Sequence, residues 1–207
     1  MGDGTCVAYV CDIISVSEKN PGMLYEDPDR TMYEEAAFGI GCSRDGKPGV
    51  YFPVMWVNKD WSLARGWLNG YAKRIADKIT LTRIHPANPI VSSVGAGSVL
   101  SGYCVAYGKK VLSLRVRVER QGEKADLVSF GTTYGFRRFP ATDPSQNKVG
   151  ELVEVLRYNN RTADVWVGVG EVAFDVAELI GKIRVIRGVI YKGGFSIKGA
   201  RALSKEP

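Results

Sequence analysis

Hydrophobic residues recur in short runs along almost the whole chain, and many runs alternate apolar with polar positions. This period-two pattern, with glycine-containing polar segments between the runs, predicts a chain built mainly from β-strands. The first run, Thr5 to Val16, is apolar on both alternating faces and is therefore expected to be a central strand. It contains Asp12, whose carboxylate would be either an ion-paired structural group or an acid of a functional site.

The next two runs predict a hairpin. Thr31 to Cys42 and Gly49 to Val57 flank Asp45-Gly46, a pair that favours the tight turn of a two-stranded hairpin. Further strands are expected over Tyr103 to Arg120 and Leu127 to Phe139. Glu151 to Tyr158 and Thr162 to Gly168 are expected to pair across Asn159-Asn160, followed by a short helix over Asp175 to Ile180 and closing strands over Ile183 to Tyr191 and Phe195 to Leu203.

One stretch, Met55 to Pro86, combines a strand end, a helix and a second strand. Asp60 or Ser62 can cap the helix, and Asn69-Gly70 can end it. The apolar face predicted for this helix consists of Leu63, Trp67 and Leu68. In the strand that follows, Lys73 has the same parity as Ile75, Ile79 and Leu81, so it is expected to point inward with them, while Arg74 points away.

A lysine that points into an apolar interior has a chemical use. Burial disfavours the charged form of an amine, and a neutral amine can attack a carbonyl carbon and form a Schiff base. Lys109 is the rival lysine, but it follows a glycine turn, where solvent is the natural neighbour. Lys73 is therefore the predicted nucleophile.

Composition narrows the remaining choices. The chain has 207 residues, 45% of them hydrophobic, which suits one domain over residues 1–207. It has no apolar run long enough for a membrane span and no signal-type start, so a cytoplasmic protein without membrane association is expected. Four scattered cysteines and a single histidine, His85, favour neither a metal site nor a cofactor, and acid-base chemistry is left to carboxylates, lysine, tyrosine or water.

The net charge is +6, with 28 basic against 22 acidic residues, and basic residues are frequent near the C-terminus. They alternate with aliphatic residues there, which is more typical of a solvated strand face than of a nucleic-acid surface. A basic protein is also suited to an anionic substrate. Nucleic-acid binding is thus the least favoured of the functions considered.

Three segments together resemble the acetoacetate decarboxylase superfamily. They are Tyr33-Glu34-Glu35 with Gly49-Val50-Tyr51, Met55-Trp56-Val57-Asn58, and Arg65-Gly66-Trp67-Leu68 leading to Tyr71-Ala72-Lys73-Arg74. The chain departs from the family pattern at Ala72, where a proline is usual, and at Arg74, where a second lysine is usual. The resemblance implies a divergent, N-terminally shortened member. The expected fold is β-rich α+β, a partly open antiparallel β-barrel with a few short helices around an apolar cavity.

The resemblance also implies roles for particular residues. Lys73 falls on the Schiff-base nucleophile, Arg74 keeps the charge of the second lysine, and Glu35 falls on an active-site glutamate; these three are the predicted catalytic residues. The family's extra N-terminal arginine has no counterpart, and Val10 falls on a second glutamate that Asp12 would have to replace. The predicted substrate-binding residues are Tyr71, Trp67, Tyr51, Met55 and Asp12.

These roles predict a Schiff-base-forming lyase that acts on a β-keto acid or related keto acid. The alternatives are an aldolase, dehydratase or cyclase of a biosynthetic pathway that uses the same lysine, or a non-catalytic barrel that binds a small molecule. The expected partners are a small-molecule keto acid and further copies of the same chain in a homo-oligomer, with neither nucleic acid nor membrane.

Overall fold

A computed structural model describes residues 4–143, 145, 149–176 and 183–205. Ten strands dominate this part of the chain, and two α-helices and two short 3₁₀ turns (Pro28–Arg30 and Lys124–Asp126) complete the regular structure. The elements are β1 (Cys6–Ile14), α1 (Met23–Glu26), β2 (Met32–Arg44), β3 (Lys47–Val57), α2 (Asp60–Leu68), β4 (Lys73–Ile75), β5 (Lys78–Leu81), β6 (Val99–Ala106), β7 (Lys109–Gln121), β8 (Thr132–Phe139), β9 (Val149–Phe174) and β10 (Gly188–Lys205).

All ten strands belong to one sheet. Its order is β1-β2-β3-β8-β9-β7-β6-β5, with β4 attached to β3 and β10 attached to β9. The pairs of β3 with β4 and of β3 with β8 are parallel, and the other pairs are antiparallel. The sheet curls until β1 packs on β6, where a Cβ added to Gly102 would lie 2.9 Å from Val10 Cβ. The curled but unclosed sheet confirms the predicted β-rich, partly open barrel.

The predicted hairpin is β2 and β3. Arg44 pairs with Lys47 across Asp45 and Gly46, whose φ angles are 50° and 76°. Two successive left-handed residues match the right-handed twist of the flanking strands, which explains why an Asp-Gly pair occupies this turn.

The position of β1 differs from the prediction. This strand pairs only with β2 and forms one end of the sheet, so it is not a central strand. One face packs on the core and the other approaches β2's polar residues, while Asp12 is exposed beside Glu34. The sequence pattern was misleading because the curl of the sheet covers both sides of an end strand.

Several predicted strand boundaries were also wrong. Tyr103 to Arg120 is a hairpin of β6 and β7 that turns at Tyr107 and Gly108, both with positive φ. Glu151 to Gly168 does not fold back at Asn159-Asn160 and instead belongs to the single 26-residue strand β9. Its pairing partner is β10, also one strand rather than two. Leu127 to Gly131 lies outside β8, and the short helix expected over Asp175 to Ile180 falls largely outside the described residues.

Strand β9 can run so far because it has different partners along its length. Its first part pairs with β8 and its last part with β7, while β10 follows most of its other edge. Asn159 and Asp164 take left-handed backbone angles within the strand, which asparagine and aspartate tolerate better than most residues. They cause local irregularity rather than a turn.

The apolar core lies on one face of the curled sheet. Its largest members are Phe38, Trp56 and Leu112, packed with Val54 and Ile79. Side chains alternate along each strand, so Met55 and Val57 of β3 point to the opposite face. Within the described residues the longest helix has nine residues, and none has the length and apolar character needed to cross a bilayer.

A buried carboxylate joins neighbouring strands of the sheet near the hairpin turn. Glu154 of β9 accepts hydrogen bonds from Lys47 Nζ at 3.0 Å and from Thr132 Oγ1 at 2.9 Å, and it also pairs with Arg201 of β10. Arg201 and Lys47 hold the pKa of Glu154 at about 2, well below the ordinary value.

We expect Glu154→Gln to destabilise the fold by about 1–3 kcal/mol at neutral pH, because it removes the charge from these hydrogen bonds. A carboxyl group whose pKa is lowered by folding stabilises the native state above its unfolded value of 4.5, and this contribution is lost as pH falls towards 2. Chemical denaturation between pH 7 and 3 should therefore show a shallower acid dependence in the variant. Asp164→Asn, which removes an exposed ion pair with Lys192, should change stability by less than about 0.5 kcal/mol.

Candidate active site

The side chain of Lys73 is buried against the sheet at the start of a three-residue strand. Strand β4 is held in place by parallel pairing with β3, which aligns Met55 with Lys73 and Trp56 with Arg74. Aligned residues point to the same side, so Lys73 shares the face of Met55 and Val57, opposite the main core. Only 7% of Lys73 is exposed.

The amine of Lys73 contacts two polar groups and two aromatic rings. Its Nζ lies 2.7 Å from Glu35 Oε2 and donates a hydrogen bond to Ser62 Oγ at 3.1 Å. The ring centroids of Tyr33 and Tyr71 lie 5.1 and 5.9 Å from the same nitrogen. Glu35 is itself 5% exposed, so this ion pair is largely shielded from solvent and its mutual attraction is correspondingly strong.

Helix α2 covers the stem of Lys73 with two small residues. Ser62 and Gly66, four positions apart, are its buried residues. A Cβ on Gly66 would lie 2.3 Å from Lys73 Cδ, so only glycine allows this approach. The predicted apolar face was wrong: Trp67 and Leu68 are 47% and 61% exposed. The helix begins at Asp60 after Lys59, without a side-chain cap.

Strand β1 supplies one hydrogen-bond donor to the Glu35 carboxylate. Tyr9 donates to Glu35 Oε1 at 2.7 Å, so the two oxygens contact a phenol and an amine. Burial, with the nearby Glu35 charge, raises the pKa of Tyr9 well above its usual value and raises that of Tyr33. The same two causes raise the pKa of Cys11 well above the usual thiol range. These three groups are therefore protonated donors at neutral pH.

Lys73 does not point with Ile79, contrary to the sequence prediction. Ile79 belongs to the main core, whereas Lys73 lies on the opposite face and Ile75 is 46% exposed. The two short strands β4 and β5 are separated by Ala76 and Asp77 and pair with different neighbours, so alternation does not continue from one to the other. Arg74 lies on the other side of β4 from Lys73, as alternation requires.

The predicted substrate-binding residues are spread over the molecule. Tyr71 and Met55 lie beside Lys73, the first through its ring and the second through strand pairing. Trp67 donates its indole N–H to the backbone oxygen of Lys73 at 2.9 Å and does not face the amine. Tyr51 packs edge-on against Phe136, and exposed Asp12 alternates with Cys11, which faces Glu35.

Sequence reasoning missed several groups that the fold brings to the amine. Tyr9 and Cys11 were assigned only to a strand, and Ser62 only to a possible helix cap. Tyr33 belonged to the family-like segment Tyr33-Glu34-Glu35 but was given no role in the site. The spacing of Ser62 and Gly66 was an available signal, because small residues four apart on a helix mark a face of close approach. Tyr9 gave none, since aromatic residues are common in any strand.

An enclosed apolar cavity at Lys73, which the resemblance implied, is not shown. Two surface depressions of about 530 and 240 Å³ lie elsewhere in the described residues, the first against Arg187 and the second beside Glu154. The rival lysine, Lys109, is exposed at the start of β7. The buried amine of Lys73 is therefore the better-defined candidate.

Comparison with protein families identifies the family of the chain. The family model described as acetoacetate decarboxylase (ADC) matches residues 1–206. The chain belongs to the acetoacetate decarboxylase family. A comparison with curated protein sequences gives no match.

Solved structures of this family are similar to the chain over almost its full length. An acetoacetate decarboxylase-like enzyme from Sphingomonas wittichii RW1 is 39% identical, with a TM-score of 0.91, over 97% of this chain and 80% of that one. The enduracididine biosynthesis enzyme MppR, complexed with pyruvate, is 20% identical (TM-score 0.82; 96% and 76% covered). Acetoacetate decarboxylase from Legionella pneumophila is 12% identical, with a TM-score of 0.69, over 99% of this chain and 86% of that one. At such low identities, the likeness to MppR and to the Legionella enzyme shows the fold alone.

Gly66→Ala tests the close contact between α2 and Lys73. Helix propensity alone would make this change stabilising by about 1 kcal/mol. We expect a destabilisation of about 1–3 kcal/mol instead, because the new methyl group must displace the buried lysine stem. Thermal or urea unfolding measures the difference. Ala64→Gly, at an exposed position of the same helix, calibrates the propensity contribution; a stabilised Gly66→Ala protein would contradict the contact.

Proposed function

We propose that the protein is a lyase that binds a keto acid covalently through a Schiff base on Lys73. The observation that carries this proposal is the burial of one amine between a carboxylate and a helix that is shaped to receive it. The fold supplies no other described lysine with comparable burial. A shielded amine that contacts a proton acceptor has the properties of an activated nucleophile.

The nucleophile must be the neutral amine, and Glu35 is the adjacent proton acceptor. Transfer of one proton from Nζ to the carboxylate would leave a lone pair to attack the keto carbon. The resulting carbinolamine would lose water, with a proton returned to the leaving oxygen, and give an iminium on Lys73. Arg74 lies on the other side of β4, so its charge would act on Lys73 only through space.

The iminium would then accept an electron pair. In a β-keto acid the bond to the carboxylate carbon breaks, carbon dioxide leaves and the electrons form an enamine. Protonation of the enamine carbon and hydrolysis would release the ketone and regenerate the lysine. Tyr9 and Tyr33, which are protonated at neutral pH, are available as donors near Glu35. Tyr71 and Met55 would contact the substrate, whereas Trp67, Tyr51 and Asp12 lie outside this proposed site.

An aldolase or dehydratase reaction is the second candidate. It is supported by the likeness to MppR, one structure of which holds the condensation product of pyruvate and imidazole 4-carboxaldehyde. Here the iminium of a 2-keto acid would lose a proton from the neighbouring carbon, and the enamine would attack an aldehyde before water is lost. Two assays separate these reactions. Release of carbon dioxide from acetoacetate indicates a decarboxylase, and formation of a product from pyruvate and an aldehyde indicates an aldolase or dehydratase.

Three further expectations concern the partner, the assembly and the location of the protein. We propose a small-molecule keto acid as its partner, a homo-oligomeric assembly and a cytoplasmic location. Size-exclusion chromatography with light scattering tests the assembly.

Borohydride reduction in the presence of pyruvate or acetoacetate tests the Schiff base. We expect a stable adduct that peptide mass analysis locates on Lys73 and that is absent from Lys73→Met. Lys109→Met causes the same change in net charge but at an exposed lysine, and this variant should form the adduct normally. An adduct distributed over surface lysines, or none under conditions of turnover, would reject the proposal.

Tyr9→Phe tests whether the phenol positions Glu35. The variant removes a hydrogen bond to a buried carboxylate, and we expect adduct formation to slow about tenfold. Tyr25→Phe, at an exposed position, should leave the trapping rate unchanged. A trapping rate for Tyr9→Phe equal to that of the unmodified protein would contradict a role of this phenol in positioning Glu35.

A further inference from the structure

The Lys73 face of the sheet continues from β2 to β9, across a register shift between β2 and β3. Thr133 of β8 aligns with Val50 of β3 on one side and with Val155 of β9 on the other. Val50 in turn packs against Gly39 of β2, where an added Cβ would lie 2.9 Å from Val50 Cγ2. Gly39 has the same parity as Glu35, so Thr133 lies on the face that carries the ion pair.

Tyr71 links the two ends of this face. Its ring lies beside the Lys73 amine and 6.4 Å from the ring of Phe52, which contacts Tyr9. Burial raises the pKa of Tyr71 to about 12, and the charge of Arg157 and a hydrogen bond from the Thr133 hydroxyl act in the opposite direction. Thr133 is thus within hydrogen-bond reach of Tyr71, whose ring lies against Lys73.

On β9, Arg157 points to the same side as Val153 and Val155, because side chains alternate along a strand. Val153 contacts the Gly70 turn, where an added Cβ would lie 2.5 Å from Val153 Cγ2, so this side of the strand faces the loop that carries Tyr71. The guanidinium stacks on Phe195 of β10, 3.7 Å from the ring centroid. Arg157 is exposed, as is Phe195, and across the described residues it makes no ion pair and no side-chain hydrogen bond, so its five N–H donors are open to solvent or to a ligand.

A second polar group at the same place is buried. Thr133 is 1% exposed, and apart from the Tyr71 hydroxyl its Oγ1 has no hydrogen-bond partner among the residues that the structure describes. A buried hydroxyl can both donate and accept, so Thr133 keeps hydrogen-bonding capacity that a ligand could use. A stacked arginine and such a hydroxyl together match the needs of a carboxylate, whose two oxygens can accept several hydrogen bonds.

We propose that Arg157 and Thr133 form a subsite for the carboxylate of the keto acid whose carbonyl group reacts with Lys73. Arg157 donates two parallel hydrogen bonds from its planar fork, which Phe195 holds in orientation, and Thr133 donates a third. The inference rests on the proposed function for the reaction at Lys73, but the carboxylate subsite itself does not require that reaction. In this arrangement the keto group of the substrate lies at Lys73, against the Tyr71 ring, and its carboxylate lies towards the Tyr71 hydroxyl.

Oxamate provides a test that is independent of imine formation, because it has the shape of pyruvate but carries an unreactive amide. Calorimetry should show that Arg157→Met and Thr133→Val each weaken oxamate binding, the first by about 10- to 100-fold. Arg157→Lys, which keeps the charge but loses the fork, should recover only part of this loss. Arg161→Met, the same change four residues further along β9, should bind within twofold of the unmodified protein.

Borohydride trapping then compares pyruvate with acetone, which lacks the carboxylate. Arg157→Met should raise the pyruvate concentration for half-maximal trapping about tenfold or more and leave trapping of acetone unchanged. Equal oxamate binding by Arg157→Met and the unmodified protein, absence of oxamate binding to the latter, or equal losses for pyruvate and acetone would each overturn the subsite.

The rival cation is Arg65 of α2, which donates to Ser15 Oγ at 2.7 Å and stacks over Trp61. A large loss of oxamate affinity in Arg65→Met, with none in Arg157→Met, would assign the carboxylate to the helix instead. If oxamate binding depends on Arg157 but no carbonyl compound is trapped on Lys73, the subsite stands and the proposed Schiff-base function fails.

Discussion

The arrangement of the candidate site depends on one ion pair that is shielded from water. Lys73 and Glu35 lie 2.7 Å apart, and each is less than a tenth exposed. Two charges buried in this way are favourable only when their remaining polar atoms are also satisfied. Tyr9 and Ser62 meet part of that need, and they come from β1 and α2. Four separate elements are thus fixed relative to one another by the requirement to accommodate a single amine.

The same requirement explains the form of helix α2. A helix that packs on a sheet normally buries large apolar residues, yet this one buries serine and glycine and leaves Trp67 partly in solvent. The large side chain beneath it is the lysine itself, which occupies the space that a leucine of the helix would otherwise fill. The indole N–H of Trp67 nevertheless contributes, because it holds the backbone oxygen of Lys73.

Local patterns were sufficient for the hairpin of β2 and β3, the general β-rich architecture and the end of α2 at Gly70. In each case a short-range rule decides the outcome, such as the left-handed pair Asp45-Gly46 or the positive φ of Gly70. The rules failed where long-range pairing decides. Nothing local distinguishes β9 as one strand from a hairpin, because its continuity depends on β8, β7 and β10 as partners. Lys73 was predicted as the nucleophile both from its parity and from the family resemblance, although the face to which it points was misassigned.

The continuity of β9 also has a consequence for how the gene can vary. Glu154 lies on one side of this strand with Arg201 and Lys47, and Val153, Val155 and Arg157 alternate to the other side. A single codon inserted or deleted between Glu154 and Arg157 would break this alternation, so that the acidic group and the cation could not both keep their present sides of the strand. Length changes in this stretch should therefore be tolerated far less than replacements of individual residues.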